Sequence, residues 1–593
     1  MKQGRAEGTI TFSLHAHLPW VLHHGTWPHG LEWLLEAAAE TYLPLLRVLR
    51  NLERDGLALK ATISLSPVLL EQLAHPTFRA EFPEYLKRKI QAAQEDESYF
   101  RQSGDAHFAK TALYWRTLFE QTRTDFEEIG RDIVGEFRRF NDAGLIEVMT
   151  CCATHGYLPL LGTDESIRAQ VMTGVATHER HLGRRPRGMW VPECGYRPAG
   201  RWQAAVAPHG SGDTWPAFER RGVEEMLAEA GIEYFFVDSH LVEQSAQFTP
   251  YATKAGGGAV GTPAALPGAT AGARSLYQTY VVDGRNARQR PVAIFPRDPL
   301  TGIQVWSGER GYPGDAHYLD FHKKRWPGGH RYWQVTQSNS DMAMKTPYDP
   351  ERAAERVRAH AEHFVGMARE ALRESADADH PPILSALFDA ELFGHWWFEG
   401  PVWLERVARL MASDEVPIAL TTASEYLDEQ RTEGLLKIRE GSWGKNGGNE
   451  VWLNEQTAWT WSHIYPAEAK VRAMATEGRW RDSATGKRIA QQMCRELLLL
   501  ESSDWQFLIT TEAARDYAEH RFLTHMDQFR ELERFWAEFM ETGTLRPASG
   551  ERLAAIEERD GLFGEVDPGL WSEQGPGCAA NAKEPETDRA EIV

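Results

Sequence analysis

Eight short apolar runs bounded by turn residues recur along the chain, at 9–14, 61–65, 145–150, 188–191, 234–237, 292–295, 383–388 and 417–420, with stretches of helical periodicity between them. Strand alternating with helix implies a parallel sheet that is covered by helices or closed on itself. The pattern predicts an α/β barrel with insertions. Chemistry in such a barrel gathers at the C-terminal strand ends, so the polar residues right after each run are the ones to inspect. Residues 72–137, including EFPEYLKRKIQ at 81–91 and the start of an amphipathic stretch at 111–140, carry helical periodicity without strand signal. They predict a helical insertion between two barrel strands. From 431 the helical reading returns, clearest at 468–474, 486–500 and 511–542, which predicts a helical domain over 431–570 behind a catalytic unit at 1–430. Residues 254–274 are almost entirely Gly, Ala, Pro and Thr, so a mobile loop is expected there, and 575–593 reads as a disordered tail.

Composition narrows the field. At 593 residues and 42% apolar content the chain exceeds what one core holds, so a large domain with an appended unit is expected. A formal charge of −20 disfavours nucleic-acid backbones and anionic membrane surfaces. The short basic runs at 184–187 and 285–290 read as solvated surface. Cys151, Cys152, Cys194, Cys494 and Cys578 show no paired CxxC spacing, which fits a reducing compartment. The first residues lack the apolar core of a signal peptide, and no apolar stretch reaches the ~18 residues a membrane span needs. A cytoplasmic location is expected. Twenty-one tryptophans are many, and their flat faces suit sugar rings, bases or cations alike.

Several residues could carry chemistry. His15 and His17 follow the first run, and alternation along an extended backbone turns both imidazoles to one side. They could contact ligand hydroxyls, pair structurally or bind a metal; no HExxH or CxxC partner supports the metal. Glu193 lies in GMWVPECGY at 188–196, right after an apolar run and beside a turn-forming Pro and Gly; a structural ion pair is the competing reading. Asp389 ends ILSALFD at 383–389 and opens an acidic, aromatic cluster in which Glu391 and Glu399 compete for the same role. Two carboxyls at separate strand ends meet the requirement of glycoside chemistry, one attacking the anomeric carbon and one protonating the leaving oxygen. If configuration is retained, they should stand about 5–5.5 Å apart. Trp27, Trp33, Trp306, Trp443, Trp452, Trp459 and Trp461 could be stacking platforms or core. GSWGKNGGNE at 441–450 lacks the order of a phosphate loop.

Together HAHLPW (15–20), LIEVMTCCATHGY (145–157), GMWVPECGY (188–196), LFDAELFGHWWFEGP (387–401) and TTASEY (421–426) resemble glycoside hydrolase family 57, and within it the 1,4-α-glucan branching group; SSDWQF (502–507) resembles that group's helical C-terminal domain. The resemblance implies a (β/α)7 barrel, one strand fewer than the eight runs. It implies a retaining mechanism with Glu193 as nucleophile and Asp389 as acid/base, no metal or organic cofactor, and an α-glucan such as amylose or glycogen as partner. His15, His17, Trp33, His155, Trp306, Trp443, Trp452 and Asp504 match the family's glucan-contacting set, with Arg297 as a further candidate. The group carries a tyrosine on a mobile loop that favours transfer over hydrolysis. Tyr251, Tyr277 and Tyr280 compete for that role, and Tyr277 is preferred.

Branching is therefore the expected activity. α-Amylase or 4-α-glucanotransferase chemistry would use the same carboxylates with another acceptor. A metal-dependent carbohydrate deacetylase would need a divalent ion, and a non-catalytic glycan-binding protein would keep only the Trp platforms.

Overall fold

The computed structural model describes residues 7–209, 215–243, 274–282, 290–337, 341–376, 381–430, 432, 434–573 and 575. Tyr251, Cys578, nearly all of the 254–274 segment and the tail after 575 lie outside the described residues.

Seven parallel strands form the centre: β1 Gly8–Ala16, β2 Thr62–Leu65, β3 Glu147–Cys151, β4 Gly188–Trp190, β5 Tyr234–Val237, β6 Ala293–Pro296 and β7 Ile383–Asp389. Their order around the curled sheet is β7-β1-β2-β3-β4-β5-β6. A parallel bridge between Arg297 and Ser385, with Asp298 N–H donating to the Ser385 carbonyl at 2.9 Å, joins the two end strands. The fold is thus the expected seven-stranded α/β barrel. The eighth run is a strand of a different kind: Ile418–Leu420 pairs with Gly8–Ile10 at the foot of β1, below the stretch where β2 takes the same edge. A short apolar run marks a buried strand but not which ring it joins.

Alternation in β1 sorts its side chains. Phe12 packs outward on Phe364 and Trp403, with ring centroids 5.6 and 6.4 Å away. Thr11, Ser13 and His15 therefore face the barrel interior. Between β2 and β3 run four helices, α3 Pro67–Ala74, α4 Pro76–Gln102, α5 Ala106–Glu128 and α6 Ile133–Asp142. Asp105 and Asp132 start the last two by accepting from the N–H of Phe108 and Gly135. Between β1 and β2 the chain makes α1 Leu31–Ala37 and α2 Leu43–Arg54, joined without a break by a π-turn at Ala38–Tyr42.

From Ala458 onward the structure is helical, with Ala458–Glu477, Ala484–Leu500, Asp504–Thr511, Arg515–Thr542 and Pro547–Arg559 as the main pieces. Asp504–Thr511 reaches the C-terminal face of the barrel. There Gly156 bridges Ser502, and Ser503 N–H donates to the His155 carbonyl at 3.2 Å. Among the described residues no helix is long and apolar enough to cross a membrane.

Candidate active site

Strand register builds the site. Parallel pairing of β1 with β7 sets His15 beside Asp389, so an imidazole and a carboxyl leave the barrel side by side. Glu193 comes from the turn after β4 with φ 59° and ψ 21°. A side chain in this left-handed region costs roughly 1–2 kcal/mol, and Cys194 (φ 50°) and His155 (φ 61°) share it. Such strain persists only where the surroundings hold it. Here Trp443 holds it from both ends: its backbone N–H donates to the Glu193 carbonyl at 3.0 Å and its indole Nε1–H to Glu193 Oε2 at 2.6 Å.

A row of imidazoles forms the floor. His15 lies flat on Trp190, centroids 4.8 Å apart, and His17 stacks on His155 at 4.1 Å. The Nε2 atoms of His15 and His155 are 2.9 Å apart, so one donates and the other accepts. Ser64 lies 3.1 Å from His15 Nδ1, Ser66 2.9 Å from His17 Nδ1 and Ser503 2.8 Å from His155 Nδ1. His17 Nε2 meets both Asp504 oxygens at 3.1 and 3.0 Å. Burial, reinforced by the neighbouring imidazoles, pushes His15 and His155 well below the ordinary histidine value, so both are neutral. Burial also works to raise Asp504, but His17 holds it below the usual carboxylate range.

The two carboxyls behave differently from Asp504. Burial pushes Glu193 up to about 8, with Asp389 and Asp504 adding repulsion and the Trp443 N–H opposing it. Burial and Glu391 push Asp389 to about 8, opposed by Arg297. Glu391 is raised by burial to about 7 while it accepts from Tyr42 Oη at 2.6 Å and from the His17 N–H at 3.1 Å. Glu399, the other rival, is likewise raised to about 7, but it accepts from Tyr348 and the Leu319 N–H, away from β1.

The remaining candidates divide. Arg297 stands over Trp443 at 5.2 Å and 3.6 Å from Asp238. Trp306 is half-buried, edge-on to the exposed Trp396 at 5.9 Å, and Trp33 packs on His29 and Tyr517. Trp27 and Trp326 stand 66% and 59% exposed over an open cavity of about 380 Å³. Trp452 is a correction: it is 1% exposed with its face covered by Tyr157 at 4.1 Å, a core residue and not a platform. Tyr277 is another. Its hydroxyl donates to Asp298 at 3.0 Å and its carbonyl accepts from Ile383 N–H, at the opposite end of β7 from Asp389. Tyr280 sits in a strand antiparallel to β6 and donates to the Ser275 carbonyl. Sequence reasoning did not single out Trp190, Ser64, Ser66, Ser503, Glu40 or Tyr42, although Trp190 and Ser503 lie within the motifs at 188–196 and 502–507 and Ser64 lies within the run at 61–65.

Among the described residues three groups bring metal-ligand atoms together: His17, His155 and Asp504; His15, Cys151 and His155; and His24, His525 and Asp560. Their chemistry suits hydrogen bonding better. His17 and Asp504 satisfy each other, burial raises the Cys151 thiol so that it holds its proton, and Arg521 donates to His525 in the third group.

Comparison with known proteins points to one family. The family model described as glycosyl hydrolase family 57 matches residues 11–439, and that described as 1,4-alpha-glucan branching enzyme, C-terminal, matches 463–571. The chain is 41% identical over 572 residues to a 1,4-alpha-glucan branching enzyme of Thermococcus kodakarensis, covering 96% of this chain and 79% of that protein. A crystal structure of the GH57 branching enzyme from that archaeon superposes with a TM-score of 0.85 at 40% identity, over 96% of this chain and 97% of that one. The branching enzyme of Pyrococcus horikoshii gives 0.83 at 39% identity over 96% and 98%, and an alpha-amylase of Thermotoga maritima 0.75 at 29% over 95% and 99%.

Proposed function

The chain belongs to glycoside hydrolase family 57, and from that premise we propose that it is a 1,4-α-glucan branching enzyme that cleaves an α-1,4 linkage with retention and passes the released chain to a 6-hydroxyl, forming an α-1,6 branch. Glu193 attacks the anomeric carbon, Asp389 protonates the departing oxygen, and Asp389 then takes the proton of the incoming hydroxyl. The observation that carries the assignment is the convergence of two buried, electrostatically coupled carboxyls with different partners. Glu193 receives the Trp443 N–H, which stabilises its anion. Asp389 has Glu391 and burial working against its ionisation. Burial raises both carboxyls to about 8, and when one of the two protons leaves, the Trp443 N–H is the donor that favours the anion on Glu193.

The imidazole row, Arg297 and the half-buried Trp33 and Trp306 supply hydroxyl contacts and ring faces for an amylose or glycogen chain. A division into a catalytic barrel through about residue 430 and a helical C-terminal domain over 431–570 accords with the two family matches. Among the described residues Cys151, Cys152, Cys194 and Cys494 are free and buried, which favours a reducing, cytoplasmic setting, and a branching activity on α-1,4-glucan fits a role in glycogen synthesis.

The test is incubation with amylose, isoamylase debranching and proton NMR of the anomeric region, with Glu193→Gln as control. New α-1,6 signal without a matching rise in reducing ends, absent in the control, is the expected result. Reducing ends or redistributed linear chains without that signal would replace branching by hydrolysis or 4-α-glucan transfer.

A further inference from the structure

The helix that leads from β1 toward β2 contains an irregularity with an identifiable cause. In a regular helix the N–H of residue 44 would donate to the carbonyl of Glu40, but Pro44 has no N–H and its ring crowds that carbonyl. The backbone answers with a π-turn at Ala38–Tyr42, closed by Leu43 N–H donating to the Ala38 carbonyl. π-turns inside helices recur at functional positions.

Two side chains of this turn, Glu40 and Tyr42, meet the segment that follows Asp389. The Tyr42 hydroxyl donates to Glu391 at 2.6 Å, and the same carboxylate oxygen accepts the His17 N–H at 3.1 Å, so Tyr42, Glu391 and β1 form one linkage two residues from the acid. Glu40 lies 2.8 Å from His395 Nδ1, and Arg331 ties the pair together, 3.1 Å from Glu40 and donating to the His395 carbonyl at 3.1 Å. The Glu40 carbonyl, which cannot receive an N–H from Pro44, is closely approached from the other side. Gly394 presses against it with φ +113°, and a Cβ there would come within 1.8 Å of that oxygen. Burial works to raise Glu40, but Arg331 and His395 hold it to about 2, so it is a permanent anion. Just beyond this anchor stands Trp396, 42% exposed and edge-on to Trp306.

We propose that Glu40 and Tyr42, displayed by the π-turn, are positioning residues for the reaction: Tyr42 fixes the strand end that bears Asp389 by gripping Glu391, and Glu40 fixes the turn that presents Trp396 by gripping His395 and receiving Gly394. One helix irregularity thus aims both the proton-transferring carboxyl and an aromatic surface for the glucan. Neither residue touches the substrate. The inference rests on the assignment of Asp389 as acid/base.

The two residues should fail in different kinetic terms, because one steers the reacting group and the other a binding surface. The experiment compares full-length parent, Tyr42→Phe, Glu40→Gln, His395→Ala, the Glu40→Gln/His395→Ala double variant and Asp389→Asn, each with kcat and KM on amylose and a melting curve. Tyr42→Phe is expected to lower kcat about tenfold with KM within twofold, since a small misplacement of a catalytic group costs this much. Glu40→Gln is expected to raise KM several-fold with the smaller change in kcat. The double variant should be no worse than the worse single one, as for residues acting as a unit. Melting measured alongside separates positioning from general loosening. Parent-like kinetics in folded Tyr42→Phe and Glu40→Gln, additive losses in the double variant, or losses that only track melting temperature would each overturn the proposal. An active Asp389→Asn would instead remove the assignment beneath it, and the two failures are distinguished by that one variant.

Discussion

Glu193 combines three costs in one residue: a left-handed backbone, a buried carboxyl and a neighbouring acid. Its folded value of about 8 lies above the unfolded 4.5, so between those limits the folded protein holds a proton that the unfolded chain has released. Stability from this group is present below 4.5 and is lost as pH rises through 8. Glu193→Gln removes the titration but keeps the shape. The variant is expected to melt higher than parent at pH 8, by an amount on the order of 1–2 kcal/mol, with the gain shrinking toward pH 5. Activity on amylose should fall by about 10⁴-fold or more. A variant that melts lower than parent at pH 8 would refute the account of the buried acid. Trp443→Phe tests the opposing contribution. Losing the indole N–H removes the donor that stabilises the Glu193 anion. The acid limb of the kcat/KM profile should move to higher pH, with a loss of about tenfold at neutral pH; an unmoved limb would show that the bond does not tune the nucleophile.

At the scale of elements, the loop after β1 is held by a helix from the far end of the chain. Asp504, at the start of Asp504–Thr511, takes both of its oxygens to His17, and Ser502 donates to the same carboxylate at 2.5 Å. A hydrogen bond to a charged partner contributes about 1.5–3 kcal/mol, so Asp504→Asn should cost roughly 10–100-fold in kcat while far-ultraviolet circular dichroism stays that of the parent. Parent-like activity would mean that His17 needs no anchor. Elements were also what the sequence reported best. Seven of the eight runs are barrel strands because buried parallel strands are continuous apolar stretches, and 417–420 carries the same signature while pairing at the foot of β1. Glu193 and Asp389 could be singled out because each stands at the end of such a run. Trp452 was not, since whether an aromatic face meets sugar or Tyr157 depends on tertiary packing. Tyr277 was misjudged because nearness in sequence to the Gly/Ala segment says nothing about which end of β7 its backbone joins. The π-turn was invisible for a related reason: the residues around Pro44 do not tell that Gly394 is pressed against the Glu40 carbonyl.

For the whole molecule, the helical part after 457 completes the barrel's C-terminal face and does not hang beside it. Asp560 accepts from Trp20 Nε1 at 3.0 Å and lies 2.6 Å from His24 Nε2, fixing the far end of the loop that begins at His15. Glu501 accepts from Gln170 at 2.8 Å and Glu468 from Gly162 N–H at 2.9 Å, both from positions buried against barrel elements. Burial drives these two acids up, and Glu501 adds to the cost at Glu468, so they are tolerable only as a closed interface in which the barrel supplies the donors. Cutting that interface takes Glu501 from Gln170 and Glu468 from the Gly162 N–H on one side, and on the other takes the Thr154 hydroxyl from the Leu498 carbonyl. A chain ending at Thr457 is therefore expected to lack a cooperative melting transition and to accumulate in aggregates, with no branching activity in what stays soluble. Size-exclusion chromatography and calorimetry of that truncated chain decide the point. A monomeric 1–457 fragment with a sharp transition would show that the barrel is an independent folding unit, and the active site would then owe the C-terminal helices only His17 and His155 alignment, a debt that Asp504→Asn measures separately.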